Sequence, residues 1–131
     1  MTNTLLDDLA LDLALDLALD FTRLLLAGKV EEAADKHWAT HVRVVKPASV
    51  CGEACEQVCG FTTARENLCT WLSHNKMEDI SIDGPFVTGN QFALFIDMQI
   101  VDLASGKRSN FSEIATFIML GNKIIEERFF Y

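Results

Sequence analysis

The sequence of 131 residues predicts an α+β fold in which a long, curved antiparallel sheet wraps around N-terminal helices to form a cone. Two observations favour this fold. Residues 91–131 have the pattern of three long strands joined by tight turns at 104–107 and 120–123. The first ninety residues supply helices for such a meander to wrap around. A cone of this kind encloses a pocket, so we expect a single domain, residues 1–131, with an interior binding site.

Composition and charge argue against several classes of protein. Hydrophobic residues make up 50% of the chain, the net charge is −8, and no apolar run reaches the roughly 18 residues that span a membrane. The acidic balance disfavours nucleic acid and anionic membrane surfaces as partners. The N-terminus lacks the basic segment of a signal peptide, which predicts a cytoplasmic protein with reduced thiols. No glycine-rich phosphate loop is present, so we expect no cofactor.

The first predicted element is a helix over residues 5–27, which Gly28 ends. Within it the segment Asp-Leu-Ala-Leu recurs, and the period of four places Asp8, Asp12, Asp16 and Asp20 along one side. We interpret the aspartates as a solvated edge and expect the leucines of residues 9–19 to be buried. A straight helix spreads such carboxylates out, which argues against a calcium site.

The middle of the chain alternates between helices and strands. We predict a short helix over 30–38, a strand over 42–46 that Pro47 ends, and an irregular segment over 48–60. Thr62 or Thr63 is expected to cap a helix that runs to about residue 74. A strand over 77–88 follows, with a bulge or bend at Gly84-Pro85. Residues 89–90 then form a hairpin turn.

Strict alternation assigns the inner face of the first two strands in residues 91–131. If the turn between them is centred on Ser105-Gly106, residue 98 opposes residue 113. An almost entirely apolar face then forms from Phe92, Leu94, Ile96, Met98 and Ile100 on one strand and Phe111, Glu113, Ala115, Phe117 and Met119 on the next. A slip of one residue would reverse the faces.

The other face of the sheet combines polar and apolar side chains. Phe95, Ile114, Thr116 and Ile118 would be exposed on a monomer. A mixed patch of this kind predicts a homodimer that associates through the outer face of the sheet.

Three segments together resemble a known family. The first is Phe21 to Val45, where Ala27-Gly28-Lys29-Val30 separates two helices before a short strand. The second is Gly60 to Leu72, where a glycine opens a helix after a variable loop. The third is the ending GNKIIEERFFY. On these segments the chain resembles the SnoaL-like, ketosteroid-isomerase-like branch of the nuclear transport factor 2 superfamily. The resemblance implies a cystatin-type roll around a pocket, commonly dimeric, in a family of isomerases, polyketide cyclases, dehydratases and non-catalytic subunits.

The catalytic groups of ketosteroid isomerases do not carry over to this chain. By the resemblance, the tyrosine donor falls at Phe21, the general-base aspartate at Lys46, and the protonated acid of the oxyanion hole at Ala115. Isomerisation needs a base and oxyanion donors in one apolar site, and the three groups that supply them in ketosteroid isomerases are all absent from these positions. The resemblance therefore implies the fold and the pocket rather than that chemistry.

Glu113 is the principal candidate for an acid or base. It lies two residues from the position of the missing acid, on the apolar face, where burial would raise its pKa. The alternative is a carboxylate at the rim, solvated or paired with Arg108 or Arg128. If the register has slipped by one residue, Asp97 takes its place as the acid in the pocket.

Basic and aromatic residues complete the predicted site. His37, Trp38 and His41 cluster where a helix meets a strand, so His41 is a candidate proton shuttle, with a structural role for both histidines as the alternative. Lys46 faces the pocket as a base or a Schiff-base nucleophile, or else reaches the rim. The predicted ligand-binding residues are Phe21, Trp38, Trp71, Phe92, Leu94, Ile96, Met98, Ala115, Phe117 and Tyr131.

Cys51, Cys55 and Cys59 are spaced by four, with Cys69 beyond them. This spacing differs from the paired spacing of metal sites, so we expect packing under a loop, or a redox-sensitive lid, rather than a metal site.

Two functions fit these observations. One is proton-transfer chemistry on a small apolar molecule, such as isomerisation, cyclisation or dehydration, with Glu113 as acid/base and Lys46 or a histidine assisting. The other is a non-catalytic module for ligand binding or association. An enzyme should keep at least two titratable groups converging in the pocket, whereas a binding module should have an all-apolar or filled pocket.

Overall fold

A computed structural model describes residues 4–47 and 56–131, and only the backbone of residues 4–8. The elements in chain order are α1 Thr4–Leu26, α2 Val30–His37, β1 Trp38–Lys46, β2 Glu56–Cys59, α3 Phe61–His74, β3 Asn75–Thr88, β4 Gln91–Asp102, β5 Arg108–Leu120 and β6 Lys123–Phe130. They form the predicted α+β cone, with three helices on the inner face of one curved sheet of six strands.

The strand order is β2-β1-β6-β5-β4-β3, and one pair departs from the predicted antiparallel sheet. β1 and β6 are parallel, whereas the other neighbouring strands are antiparallel. The tight turn at Gly121 fixes the direction of β6 against β5, and β1 enters the sheet directly from α2 in the same direction. The sheet is therefore mixed.

β4 and β5 pair two residues away from the predicted register. Met98 opposes Phe111 and Ile96 opposes Glu113, because the turn is centred between Ala104 and Ser105. Asp102 stabilises this turn: its Oδ1 accepts hydrogen bonds from the backbone N–H groups of residues 104 and 105. Because side chains alternate with a period of two, a shift of two residues leaves every side chain on its predicted face.

The leucine repeat of α1 is largely exposed, contrary to expectation. Leu17 is buried, but Leu9, Leu11, Leu13, Leu15 and Leu19 are between 41% and 53% exposed. Among the described side chains of α1, those that pack on the core follow the i, i+3, i+4 spacing of one helix face: Ala14, Leu17, Ala18, Phe21, Leu24 and Leu25. A repeat of four rotates by about 40° per repeat away from such a face, because each residue turns the helix by about 100°. The exposure of Asp12 and Asp16 fits the predicted solvated edge.

The segment around Gly60 is more regular than its sequence suggests. Residues 56–59, predicted to be irregular, pair with β1 as the edge strand β2. α3 begins at Phe61 with Gly60 as its N-cap rather than at a threonine, and Gly60 has φ 93°, a conformation that side chains with a Cβ rarely adopt. Of the predicted cysteine group, Cys59 and Cys69 are exposed free thiols, whereas Cys51 and Cys55 lie outside the described residues.

The predicted bend in β3 is confirmed, since the register with β4 shifts between Asp83 and Phe86. Aromatic packing fills the interior near the start of β4 and the end of β5. Phe92 and Phe117 stack on neighbouring strands with ring centroids 4.3 Å apart, and the ring of Phe21 from α1 meets both edge-on. No helix in the described part of the chain is long and apolar enough to cross a membrane.

Candidate functional site

A cavity of about 330 Å³ lies between the helices and the inner face of the sheet. Six of the predicted ligand-binding residues line it: Phe21, Trp38, Trp71, Ile96, Met98 and Tyr131. The other four, Phe92, Leu94, Ala115 and Phe117, are fully buried and do not line it. Their prediction as lining residues was wrong because the Phe92–Phe117 stack fills the interior at that part of the sheet, and the cavity lies farther along β4 and β5, beside Ile96 and Glu113.

Glu113 lies on the cavity wall, on the inner face of β5 opposite Ile96. Burial raises the pKa of its carboxyl to about 7, although the positive charge of Lys46 partly opposes the shift. Glu113 is partly exposed, and neither arginine that the sequence offered as its partner pairs with it: Arg108 pairs with Glu78, and Arg128 with Glu126.

The register between β4 and β5 shows which of the two candidate acids, Glu113 or Asp97, faces the cavity. Asp97 lies on the outer face of β4, where it is exposed and accepts a hydrogen bond from the hydroxyl of Ser112. The acid in the cavity is therefore Glu113.

A second carboxyl group in the cavity, that of Glu127 on β6, was not predicted. Glu127 is 5% exposed, lines the cavity, and accepts a hydrogen bond of 2.7 Å from the indole Nε1 of Trp38 at its Oε1. Burial raises its pKa to about 7; the Trp38 hydrogen bond lowers the pKa, the charge of Glu113 raises it further, and Lys46 lowers it. The cavity thus contains two carboxyl groups that sense each other's charge.

A β-bulge explains why alternation missed Glu127. Met119 pairs with Ile124, but the next pairs are Ile118 with Glu126 and Phe117 with Glu127, so β6 carries one extra residue. Without the bulge, a strand with Ile124 inside would also turn Glu126 inward. The doublet Ile124-Ile125 followed by two glutamates breaks the alternation, and it is the signal from which a bulge could have been inferred.

Lys46 and Tyr131 lie on the cavity wall as predicted. Lys46 is the last residue of β1, and its charge lowers the pKa of both cavity glutamates. Tyr131 packs edge-on against Phe111, with ring centroids 5.0 Å apart. Burial, followed by the charges of Glu113 and Glu56, raises the pKa of its phenol.

The two histidines of the predicted cluster do not reach the cavity. His41 is exposed and lies in a shallow depression beside Thr40 and Lys123, separated from the cavity by the ring of Trp38. Its side chain is turned away because Val42 and Val44 are the buried residues of this part of β1. The structure therefore does not place His41 with the cavity carboxyl groups.

His37 has a structural position instead. It is buried, and its Nε2 lies 2.6 Å from Oδ2 of Asp20. Burial lowers the pKa of the imidazole, which Asp20 partly counteracts. Asp20 also pairs with Arg23 and Lys36, so this aspartate joins α1 to α2.

Fold and site together define an α+β cone protein with a cavity that bears two carboxyl groups. The model of the SnoaL-like domain matches residues 14–131, and the chain belongs to the SnoaL-like family. No curated protein sequence gives a significant match.

Solved structures place the chain among SnoaL-like and nuclear transport factor 2-like proteins. A Mesorhizobium loti protein, named as a SnoaL-like polyketide cyclase and also as a carbohydrate phosphatase, is 31% identical; the match covers 88% of this chain and 97% of that one, with a TM-score of 0.77. A nuclear transport factor 2-like protein of unknown function from Burkholderia pseudomallei is 10% identical over 91% and 90% of the two chains, with a TM-score of 0.73. TerC, co-crystallised with polyporic acid, is 13% identical over 91% of each chain, with a TM-score of 0.71.

Proposed function

We propose that the cavity binds a small, largely apolar organic molecule and that Glu113 and Glu127 transfer protons to and from it. The observation that carries this proposal is the pair of carboxyl groups on one apolar cavity, each with its pKa raised to about 7. Groups that titrate near neutral pH serve as both proton donors and proton acceptors under physiological conditions.

Glu113 and Glu127 can act together as base and acid when the two carboxyl groups hold one proton between them. Two carboxylates in one apolar cavity disfavour joint ionisation, so the first proton leaves more readily than the second. Lys46 favours the charged form of both groups, but Glu127 is the more deeply buried of the two. We assign the carboxylate to Glu113, as the base, and the remaining proton to Glu127, as the acid.

An isomerisation follows directly from this assignment. Glu113 removes a proton from a ligand carbon while Glu127 donates its proton to the adjacent carbonyl oxygen, so that a C–H bond breaks and an O–H bond forms. Glu113 then delivers its proton to another carbon, and the enol returns its own to Glu127. Both groups recover their starting states, so no other reactant is consumed. A cyclisation begins in the same way: Glu113 takes a proton from the attacking carbon and Glu127 protonates the carbonyl oxygen under attack, so that a C–C bond and an O–H bond replace a C–H bond and the C=O π bond. In a dehydration Glu127 instead protonates a hydroxyl group, which leaves as water while a C=C bond forms. In both reactions a proton must then pass from Glu113 to Glu127 to restore the starting states.

The lining and size of the cavity indicate the class of ligand. Its volume of about 330 Å³ lies at the lower end of the range for small-molecule sites. The rings of Phe21, Trp38, Trp71 and Phe129 contribute to the wall, which favours a planar or cyclic apolar body. The names of structural relatives support this class: some are called polyketide cyclases, one from Bacillus subtilis is called an isomerase, and TerC was crystallised with polyporic acid.

Deuterium exchange tests the proposal without knowledge of the substrate. A panel of cyclic and aromatic ketones with acidic C–H bonds is incubated with the protein in D₂O, and label incorporation is followed by mass spectrometry. We expect exchange with at least one ketone, and a loss of about 10²- to 10⁴-fold in Glu113→Gln and in Glu127→Gln.

The matched control is Glu66→Gln, which changes an exposed carboxylate on α3 in the same way. It should keep the wild-type rate. Equal losses in all three variants, or full exchange in both cavity variants, would contradict the assignment.

The second candidate is a binding module without turnover. Phe21 and Ala115 favour it, because at these positions the ketosteroid-isomerase-like pattern would place donors to an oxyanion, and neither side chain can donate. In that case ketones would quench the fluorescence of Trp38 and Trp71 with no exchange above the background of the buffer.

We also propose that two copies associate through the outer face of the sheet. Phe95, Ile114 and Phe130 lie in one row across three neighbouring strands, and each is at least 41% exposed. An exposed apolar row on a sheet face is typical of a surface that a second copy covers.

A further inference from the structure

Trp38 lines the cavity and also makes a long-range hydrogen bond to the carboxyl group of Glu127. Its indole Nε1 donates to Oε1 of Glu127 across 89 positions of sequence, from the first residue of β1 to the far part of β6. Both residues are at most 7% exposed. The indole ring is held in turn by Phe61 of α3, which meets it edge-on at 6.1 Å.

The two oxygens of Glu127 have different surroundings. Oε1 accepts the indole N–H, and within the described residues this is the hydrogen bond that the carboxyl group makes. No fully buried side-chain nitrogen or oxygen in the described part of the chain lacks a partner. Oε2 makes no hydrogen bond to the described residues, so it is not fully buried. Because Glu127 lines the cavity, we take Oε2 to be the oxygen that is open to it.

An indole N–H donates hydrogen bonds and cannot accept one. If the acid proton of Glu127 were on Oε1 and aimed at Trp38, two hydrogens would face each other and the contact would be lost. With the proton on Oε2, Oε1 is the carbonyl oxygen and keeps its hydrogen bond. The donor-only partner thus distinguishes the two oxygens of the acid.

We propose that Trp38 is a positioning residue, which keeps the proton of Glu127 on Oε2 where it faces the cavity. Glu127 is then oriented to donate toward a ligand before any ligand binds. The use of that proton in catalysis rests on the function proposed above, but its location is a property of the protein alone.

The other ionisable groups around the cavity do not offer Glu127 a competing donor contact. Glu113 of β5 and Lys46 of β1 act on it through their charges, and Glu56 of β2 and Tyr131 line the same cavity. The described residues form no salt bridge to Glu127. Trp38 is therefore the contact that can select between its oxygens.

Infrared spectroscopy of the ligand-free protein tests the location of the proton. The band of the protonated Glu127 carbonyl is assigned from the difference between wild type and Glu127→Gln. In Trp38→Phe we expect this band to move to higher frequency, because the carbonyl loses the indole hydrogen bond. An unchanged band would mean that Oε1 is not the carbonyl oxygen and would overturn the proposal.

Carbon-13 titration of the glutamate carboxyl groups gives a second readout. The Trp38 hydrogen bond lowers the pKa of Glu127, so Trp38→Phe should raise its midpoint by about one pH unit. Trp71→Phe is the matched control, since it alters the other cavity tryptophan without removing this hydrogen bond. It should leave both the carbonyl band and the midpoint in place.

A measurement on the wild type covers the case in which Trp38→Phe does not fold. The indole N–H resonance of Trp38 should shift with pH, with a midpoint near that of Glu127, and the shift should vanish in Glu127→Gln. A flat Trp38 resonance across the titration of Glu127 contradicts the proposal. Because no ligand is present, these results are independent of whether the ketone panel reveals any exchange.

Discussion

Glu126 and Glu127 are adjacent on β6, both are buried, and they point to opposite faces of the sheet. On the outer face, burial would raise the pKa of Glu126, but hydrogen bonds from Arg43 and Arg128 outweigh it and the pKa is lowered. On the inner face, the apolar cavity raises the pKa of Glu127 to about 7. Within one dipeptide, Glu126 is therefore part of a structural ion pair and Glu127 is an acid that titrates near neutral pH. The two arginines beside Glu126 account for the lower pKa of Glu126.

The largest expected effect on stability comes from Glu127→Gln. Below about pH 4.5 this carboxyl is protonated in both the folded and the unfolded chain, so it imposes no penalty on folding. As the pH rises toward 7, the unfolded chain loses the proton first and the folded state becomes less stable. A shift from 4.5 to about 7 corresponds to about 3 kcal/mol per chain above pH 7.

Glutamine removes this penalty and keeps an oxygen for the indole N–H. We therefore expect Glu127→Gln to be more stable than wild type by up to about 3 kcal/mol at pH 8, and by almost nothing at pH 4.5. Urea unfolding of both proteins at the two pH values measures the difference. A stability difference that does not change with pH would mean that Glu127 titrates normally.

The inner face of the sheet shows which cavity residues can be predicted from the alternation of side chains along a strand. Glu113 could be placed on the cavity wall from the sequence, because the alternation of β4 and β5 survives a register error of two residues. Glu127 could not, because the extra residue in β6 reverses the faces beyond Ile124. The hydrogen bond between Glu127 and Trp38 could not be predicted either, because no local sequence pattern relates residues that are 89 positions apart.

The helix errors have a different cause. Composition correctly predicts that α1 is helical, but burial depends on which turns meet the sheet. Among the described side chains of α1, which start at Leu9, the first to pack on the core is Ala14, so Leu9, Leu11 and Leu13 precede this packed part of the helix. A leucine repeat with a period of four identifies the helix without identifying its buried face.

The outer face offers the second largest effect. If two copies pair through the row of Phe95, Ile114 and Phe130, Ile114→Lys brings two like charges into the interface and should weaken association by about 100-fold, or about 2.7 kcal/mol. Sedimentation velocity over a range of concentrations measures the dissociation constant of the dimer.

Leu103→Lys is the matched control, because Leu103 is 52% exposed in the turn between β4 and β5 rather than on the outer face of the sheet. A wild-type monomer at micromolar concentration, or equal weakening by both lysines, contradicts the sheet interface.

The smallest expected effect is that of Glu126→Gln, and its sign is opposite to that of Glu127→Gln. A carboxyl with a lowered pKa stabilises the folded state above its ordinary pKa of 4.5, and the contribution is lost as the pH falls through its folded value. The two arginine partners are 45% and 36% exposed, so solvent screens the ion pairs and the loss at pH 8 should be about 1 kcal/mol. Urea unfolding at pH 8 should therefore rank the three proteins in the order Glu127→Gln, wild type, Glu126→Gln. If both variants move in the same direction, neighbouring charge does not distinguish the two faces of β6.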